Sequence, residues 1–125
     1  MTMLSFDDVP FNRALKFELR RRDNDGAEVA LPIADWFSQE NGVVHGGIIS
    51  ALADTAAVYA VRGDRNMTGI EFKINFLRPA SMTGGALIAI ASIVRRGRTI
   101  AVADVDVQQD GQSVAQGLFT YLYVP

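Results

Sequence analysis

Alternating apolar and polar positions predict a β-sheet along much of this chain. Between residues 67 and 78 the two kinds of residue alternate, as in a strand with one apolar face. The apolar positions of that face are Ile70, Phe72, Ile74 and Phe76. Similar patterns predict six strands in all, at residues 14–22, 27–34, 67–78, 85–94, 99–107 and 113–124. Residues 85–94 are apolar on both faces, which is typical of a central strand.

One segment has the character of a long helix. Gly47 to Arg62 reads GIISALADTAAVYAVR, is rich in alanine and leucine, and contains no proline. Its only charged residue before Arg62 is Asp54. A helix this apolar on every face is expected to be wrapped by other structure. Gly63 is well placed to end it.

Turn residues between the predicted strands favour hairpins. Asp25-Gly26 and Asp110-Gly111 are turn dipeptides, and Arg95 to Arg98 around Gly97 predict a third turn. Short hairpins imply a mainly antiparallel sheet, whose natural partner is the single helix. We therefore predict an α+β fold in which an antiparallel six-stranded sheet wraps around one long central helix.

Composition narrows the possible functions. A chain of 125 residues, 49% of them apolar, fits one domain spanning residues 1–125. The absence of cysteine excludes thiolate catalysis, and the single histidine, His45, excludes a multi-histidine metal site, so no metal is expected. The net charge of −2 does not favour nucleic-acid binding. Neither a secretory leader nor a membrane span is expected, and we predict a cytoplasmic protein.

The start of the helix is a candidate site for stabilising negative charge. Gly46 and Gly47 follow His45 and leave the first helical N–H groups uncovered by side chains. Those groups and the helix dipole would stabilise a carbonyl oxygen that gains negative charge. A neutral His45 at this position could orient a substrate through one hydrogen bond. Alternatively, the glycines only permit close packing, and the histidine only holds the loop.

Asp54 is the second candidate, because an isolated carboxylate in an apolar helix is costly unless it is hydrogen-bonded or used in chemistry. Its structural alternative is a hydrogen bond to a nearby hydroxyl, such as that of Ser50 or Thr55. No Gly-x-Ser-x-Gly segment is present, so a Ser-His-Asp hydrolase is not expected.

Three arginines form the third candidate. Arg95, Arg96 and Arg98 could hold the phosphates of a nucleotide-like group such as that of coenzyme A. The alternative is a solvated hairpin tip.

Three segments together resemble a known family, the hotdog-fold acyl-CoA thioesterases of the phenylacetate-degradation type. These segments are NGVVHGGIISALADTAAVYA (Asn41 to Ala60), INFLRPA (Ile74 to Ala80) and VRRGRTIAVADVDVQQDGQSVAQG (Val94 to Gly117). The resemblance covers nearly the whole chain after the first dozen residues. It implies hydrolysis of acyl-CoA thioesters by dimers or tetramers, a dimer of dimers being the expected assembly, without metal or organic cofactor.

The resemblance also implies roles for individual residues. Asp54 would act as general base on water or as nucleophile, the Gly46 N–H would polarise the thioester carbonyl, and His45 would help to shape the site. An amide side chain six residues before the histidine is typical of the family; that position is Gln39, and Asn41 nearby could substitute for it. Asn41 and Gly47, with Arg95, Arg96 and Arg98, are the predicted substrate-binding residues.

Helix geometry adds a requirement of its own. Gly46 and Asp54 are eight positions apart, which is about 12 Å along an α-helix. An attacking group and an oxyanion donor must both lie about 3 Å from one reacting centre. Two antiparallel helices related by a two-fold axis meet both demands, so we expect each active site to be shared between two subunits.

Two rival functions remain open at this point. A hotdog hydratase or dehydratase would transfer protons at the carbons near the thioester instead of hydrolysing it. A non-catalytic acyl-CoA binding module is the other rival, although such modules normally carry an appended DNA-binding segment. Release of a free thiol distinguishes hydrolysis from both.

Overall fold

A computed structural model of the protein describes residues 3–125. Its two α-helices and six strands are, in chain order, α1 (Pro10–Leu15), β1 (Glu18–Arg22), β2 (Gly26–Leu31), α2 (Gly46–Val61), β3 (Met67–Phe76), β4 (Leu87–Arg96), β5 (Ile100–Gln109) and β6 (Gln112–Tyr123). Short 3-10 turns lie at Phe6–Asp8, Asp35–Phe37 and Glu40–Gly42. Within residues 3–125, no helix is long and apolar enough to cross a membrane.

The six strands form one antiparallel sheet in the order β1-β2-β4-β5-β6-β3. Helix α2 packs across its concave face, mainly on β2, β4 and β5, with fewer contacts to β6. Alanines on both sides let the helix approach the sheet closely, because Ala53, Ala56 and Ala57 on α2 and Ala89 and Ala103 on the sheet are completely buried. The predicted α+β class and the wrapping of the helix are confirmed.

The first predicted strand, residues 14–22, is wrong over its first four residues, because β1 begins only at Glu18. Residues 10–15 form α1 instead, with Pro10 in the first turn, where the missing N–H costs nothing. Lys16 ends the helix in the left-handed conformation, with φ of 63°. Leu15 and Phe17 are buried, as their apolar character requires, but they flank a helix end. A two-residue period over so short a segment does not distinguish a strand from a helical turn followed by a strand.

The other boundaries differ by a few residues each. Strand β2 ends at Leu31 instead of residue 34, because Pro32 has no N–H for the ladder. Strand β4 continues to Arg96, so Arg95 and Arg96 belong to the strand and not to the turn. The Asp110-Gly111 hairpin is confirmed, since both residues have positive φ.

Strand β3 lies at an edge of the sheet and carries the predicted alternating pattern, interrupted by an irregularity between Gly69 and Glu71. Phe72 pairs with the buried Phe119 of β6, and their rings stack with centroids 5.0 Å apart. Phe72 nevertheless remains 50% exposed and Phe76 53% exposed, because the helix does not extend over this edge. The apolar face of β3 is therefore only half covered within one chain.

Candidate active site

The start of α2 is held by the residue that precedes it. His45 is the N-cap, and its Nδ1 accepts a hydrogen bond of 2.8 Å from the Gly47 N–H. The His45 N–H donates to the Phe37 carbonyl at 2.8 Å, which ties the helix start to the preceding loop. An Nδ1 atom that accepts a hydrogen bond leaves Nε2 as the proton-bearing nitrogen of a neutral ring.

Only one of the two helical glycines keeps a free N–H. The Gly47 N–H is used by His45, whereas the Gly46 N–H has no acceptor among residues 3–125. Of the two donors expected from the sequence, Gly46 therefore remains available to a ligand. Gly47 instead serves to fix the imidazole, and a Cβ there would lie 3.0 Å from its Nδ1.

Gly46 opens into an apolar cleft of about 360 Å³. The cleft is lined by Gln39, Val43, Val44, Gly46, Ile49, Phe76, Leu77, Arg78, Pro79 and Ala80. A Cβ on Gly46 would lie only 3.0 Å from Cζ of Phe76, so the glycine also lets this ring pack against the helix start. Close packing and an accessible N–H are thus two consequences of the same glycine.

The two candidate amides occupy different environments. Gln39 lines the cleft beside Gly46, whereas Asn41 does not. Asn41 is exposed and has φ of 68°, a left-handed conformation that asparagine tolerates in a tight turn. This geometry explains Asn41 as a turn residue, and Gln39 is the candidate amide that lines the cleft.

Asp54 is bound by a residue that the sequence did not reveal. The Tyr121 hydroxyl donates to Asp54 Oδ1 at 2.5 Å. The hydroxyls expected as alternatives point elsewhere: Ser50 donates to the Gly46 carbonyl and Thr55 to the Ala51 carbonyl. A tyrosine on an inward-facing strand position does need a hydrogen-bond partner, but nothing in the local pattern identifies Asp54 as that partner.

The tyrosine of the Tyr121–Asp54 pair is protonated. Burial of the ring raises the pKa of Tyr121 far above its usual range, and the nearby Asp54 carboxylate raises it further. The phenol therefore stays protonated and acts only as a donor. With Oδ1 occupied by this donor, Oδ2 is the Asp54 oxygen left for a water or substrate.

In one chain, Gly46 and Asp54 do not share a cavity. Asp54 lies in a separate opening of about 480 Å³, formed with Gly69, Ile70, Glu71, Phe72, Thr120 and Tyr121. None of these residues lines the cleft at Gly46. Both openings lie along strand β3, one at its Phe76 end and the other near Gly69.

The three predicted arginines are not brought together. Paired residues share a face of the sheet, so Arg96 faces inward opposite the buried Ala101, and Arg95 faces outward opposite Val102. Arg96 Nη2 donates to the Ala60 carbonyl at 3.0 Å, at the end of α2 remote from Gly46. Arg98 is exposed in the turn that follows.

Comparisons with known proteins give this geometry a context. Residues 41–116 match the model of the thioesterase superfamily. The chain is 28% identical to the medium/long-chain acyl-CoA thioesterase YigI of Escherichia coli K12, over 91% of this chain and 85% of that one. Among solved structures, it resembles a mutant of the phenylacetic acid degradation protein PaaI from Thermus thermophilus, with a TM-score of 0.87, 26% identity and coverage of 92% and 99% of the two chains.

A further solved structure, the PaaI protein from the phenylacetic acid degradation operon of Escherichia coli, matches with a TM-score of 0.89 over 96% of this chain and 88% of that one. At 24% identity this likeness concerns the fold alone. Together these similarities confirm the hotdog fold that the sequence predicted and the family that it resembles.

Proposed function

Because this chain belongs to the thioesterase superfamily, we propose that it hydrolyses acyl-CoA thioesters to a free acid and coenzyme A. The observation that carries the proposal is the Gly46 N–H at a helix start, which has no acceptor within residues 3–125 and opens into an apolar cleft. Such a donor stabilises the oxyanion of acyl transfer, and an apolar cleft of this size accepts an acyl chain. The relative named for medium- and long-chain acyl-CoA thioesters supports the substrate class.

The proposed reaction divides between two groups. The thioester carbonyl oxygen accepts a hydrogen bond from the Gly46 N–H, which stabilises the negative charge that develops on it. Asp54 either takes a proton from water as the water oxygen attacks the carbonyl carbon, or attacks that carbon itself. The carbon–sulfur bond then breaks. In the first route the leaving thiolate takes up the proton that Asp54 removed from water, and the free acid is the other product. In the second route the thiolate gains a proton from solvent, and water hydrolyses the mixed anhydride on Asp54 to release the acid and restore the carboxylate. No metal or organic cofactor takes part.

Neighbouring side chains support these two groups. Tyr121 holds Asp54 through Oδ1 and leaves Oδ2 to take the proton from water or to attack the carbonyl carbon. His45 fixes the first turn of the helix through Gly47 and so aims the Gly46 N–H. Gln39 lies in the same cleft and can hydrogen-bond the substrate or the attacking water.

The proposed enzyme is a homodimer, and each of its sites is built by two chains. The separate openings at Gly46 and Asp54 within one chain support this arrangement, as does their spacing of about 12 Å along α2. The half-exposed ring of Phe72 lines the Asp54 opening, and that of Phe76 lines the Gly46 cleft. A second copy, with its helix antiparallel to the first, would cover these rings and bring one chain's Gly46 to the other's Asp54.

The direct test is the substitution Asp54→Asn. The amide oxygen can still accept the Tyr121 hydrogen bond, but the side chain can neither attack a carbonyl nor take a proton from water. We expect the fold to persist and kcat for thiol release to fall about 10²- to 10⁴-fold. Asp104→Asn, an exposed aspartate on the opposite face of the sheet, is the control for the change in charge and should keep its activity.

Thiol release and thermal melting are measured together on both variants, over a panel of acyl-CoA esters. A folded Asp54→Asn variant with the parent rate would refute the catalytic assignment. Loss of acyl-CoA without thiol release from the parent protein would instead identify a hydratase, and binding without turnover would identify a binding module.

A further inference from the structure

A cationic cavity lies at the opposite end of α2 from the cleft. It has a volume of about 560 Å³ and is surrounded by the end of the helix, the β1–β2 hairpin and the end of β4. Four arginines line it, which are Arg22, Arg62, Arg65 and Arg96. We refer to it as the arginine cavity. Only Arg96 belongs to the group that the sequence singled out.

Two of these guanidinium groups are held by backbone carbonyls at the end of the helix. Arg22 donates from Nε to the Tyr59 carbonyl at 3.0 Å and from Nη2 to the Gly63 carbonyl at 2.7 Å. Arg96 donates from Nη2 to the Ala60 carbonyl at 3.0 Å. These bonds satisfy carbonyls at the end of the helix and counter the negative end of its dipole. A guanidinium has five N–H groups, so each arginine keeps donors for a ligand.

The other two arginines lie against tyrosine rings, and Arg65 also donates from Nη2 to the Arg98 carbonyl at 3.1 Å. Cζ of Arg62 lies 4.9 Å from the ring centroid of Tyr59, and Cζ of Arg65 lies 3.8 Å from that of Tyr123. The Arg62 Nε atom is buried and has no hydrogen-bond partner among residues 3–125. A buried donor without an acceptor costs free energy, so this N–H would gain from an acceptor that a ligand brings.

Carboxylates do not neutralise the arginine cavity. Asp23 at its rim is already paired with Arg21 at 2.8 Å. Asp64, also at the rim, makes no ion pair within residues 3–125, where the two that form are Arg20–Glu18 and Arg21–Asp23. Four guanidinium groups thus converge in a protein whose net charge is −2, held in place by neutral carbonyls and rings. The four arginines outnumber the two aspartates that line the cavity, so its net positive charge favours an anion.

We propose that the arginine cavity binds a phosphate group of a nucleotide. Arginine forks match phosphate oxygens in pairs of parallel hydrogen bonds, and preoriented guanidinium groups lose little entropy on binding. The phosphate could belong to the nucleotide end of coenzyme A or to a free nucleotide.

Coenzyme A is the source that the geometry favours, and this part rests on the proposed function. Arg62 is eight positions beyond Asp54, or about 12 Å along α2. A thioester at Asp54 could therefore have its phosphates in the cavity of the same chain, with the pantetheine arm between them.

The binding test titrates the intact protein with free coenzyme A, ADP and inorganic phosphate by calorimetry at low salt. The double variant Arg62→Gln, Arg65→Gln removes two guanidinium groups without touching the two that cap the helix. The matched control, Arg13→Gln with Arg20→Gln, loses the same charge at exposed positions outside the cavity. We expect coenzyme A and ADP to bind the control like the parent, and the double variant on the order of a hundredfold more weakly.

Equal affinities in the parent, control and double variant would overturn the proposal, as would failure of coenzyme A, ADP and phosphate to bind the parent. Arg65→Gln alone serves as a second probe, because Arg65 is exposed and its loss spares the core if the double variant does not fold. Its affinity for ADP should fall in the same direction.

Kinetics then identify the source of the phosphate. If it is coenzyme A, the double variant should raise KM for an acyl-CoA but not for the matching acyl-pantetheine, which has no nucleotide. If KM for both stays unchanged while ADP binding is lost, the cavity serves a free nucleotide. The calorimetric result does not depend on turnover, so failure of the thioesterase proposal and failure of this one are distinguishable.

Discussion

The two edges of the sheet differ in length and chemistry. Strand β1 has five residues, four of them charged, and all five side chains are exposed. Strand β3 has ten residues and leaves large apolar side chains half exposed, namely Ile70, Phe72 and Phe76. Short charged edges discourage pairing with another chain, whereas long apolar edges favour it. The difference supports the proposal that β3 is the edge that meets a second copy, and both openings of the proposed active site lie along it.

The largest expected effect tests whether two β3 edges build one site. Asp54→Ala removes the acid, and Gly46→Pro removes the N–H donor at a helix position that tolerates proline. Each homodimer should be nearly inactive. When the two variants are co-expressed or refolded together, half of the dimers contain one chain of each variant. Each of these mixed dimers regains one of its two sites. Thiol release should return to about a quarter of the parent value by this symmetry.

A matched variant isolates the N–H at Gly46. Gly46→Ala adds the same Cβ against Phe76 but keeps the donor, so it should retain far more activity than Gly46→Pro. If mixed dimers are shown to form and no activity returns, the shared site is wrong, and each acid must serve its own helix.

A lysine substitution on each edge in turn should affect dimer association differently, and this is the next largest effect. Ile70 on β3 and Leu19 on β1 are both exposed, at 51% and 36%. Ile70→Lys would bury an unpaired charge in the proposed dimer, which costs about 3–5 kcal/mol and weakens association by about 10²- to 10³-fold or more. Leu19→Lys should leave association unchanged. Analytical ultracentrifugation over a dilution series measures the dimer dissociation constant of each variant. Equal dissociation constants would contradict the proposal that β3, and not β1, meets the second copy.

A pair of tyrosines on β6 provides the next test, because β6 lies beside β3. Tyr121 donates to Asp54, whereas Tyr123, two residues further along the same face, donates to the Val61 carbonyl at the end of the helix. Tyr121→Phe should lower kcat by about 10- to 100-fold, the usual effect of losing a hydrogen bond to a charged group. Tyr123→Phe should lower the melting temperature but largely keep kcat. An equal loss of kcat in both tyrosine variants, or a parent-like kcat in Tyr121→Phe, would reduce Tyr121 to a packing role.

The smallest effect is on stability at alkaline pH. Burial raises the pKa of Tyr121 above its ordinary value of 10.0, and the Asp54 carboxylate raises it further. Below pH 10 the Tyr121 phenol is protonated in both the folded and the unfolded chain, so its contribution to the free energy of unfolding is fully present. Above it the unfolded phenol ionises first, so stability falls with rising pH, by up to about 1.4 kcal/mol per pH unit. The free energy of unfolding, measured with urea between about pH 8 and pH 11, should decline less steeply for Tyr121→Phe than for the parent protein. Parallel declines would contradict the prediction.

The sequence by itself determined the elements whose patterns are local and long. The apolar, alanine-rich run that forms α2 was predicted within one residue at each end. The Asp110-Gly111 turn and the alternation along β3 identified a hairpin and a strand in the same way. His45, Gly46 and Asp54 stood out because glycines, a lone histidine and a lone carboxylate are unusual beside and within such a helix.

Only the tertiary structure decided which of these groups meet. Asp54 and Tyr121 are 67 positions apart, and their hydrogen bond exists because β6 folds back beside the helix. Arg22 and Arg96 reach the same helix end from opposite halves of the chain. The half-covered face of β3 likewise follows from where the helix stops across the sheet and not from its own alternation. Local periodicity records which side of an element is buried, but long-range packing selects the partner that covers it.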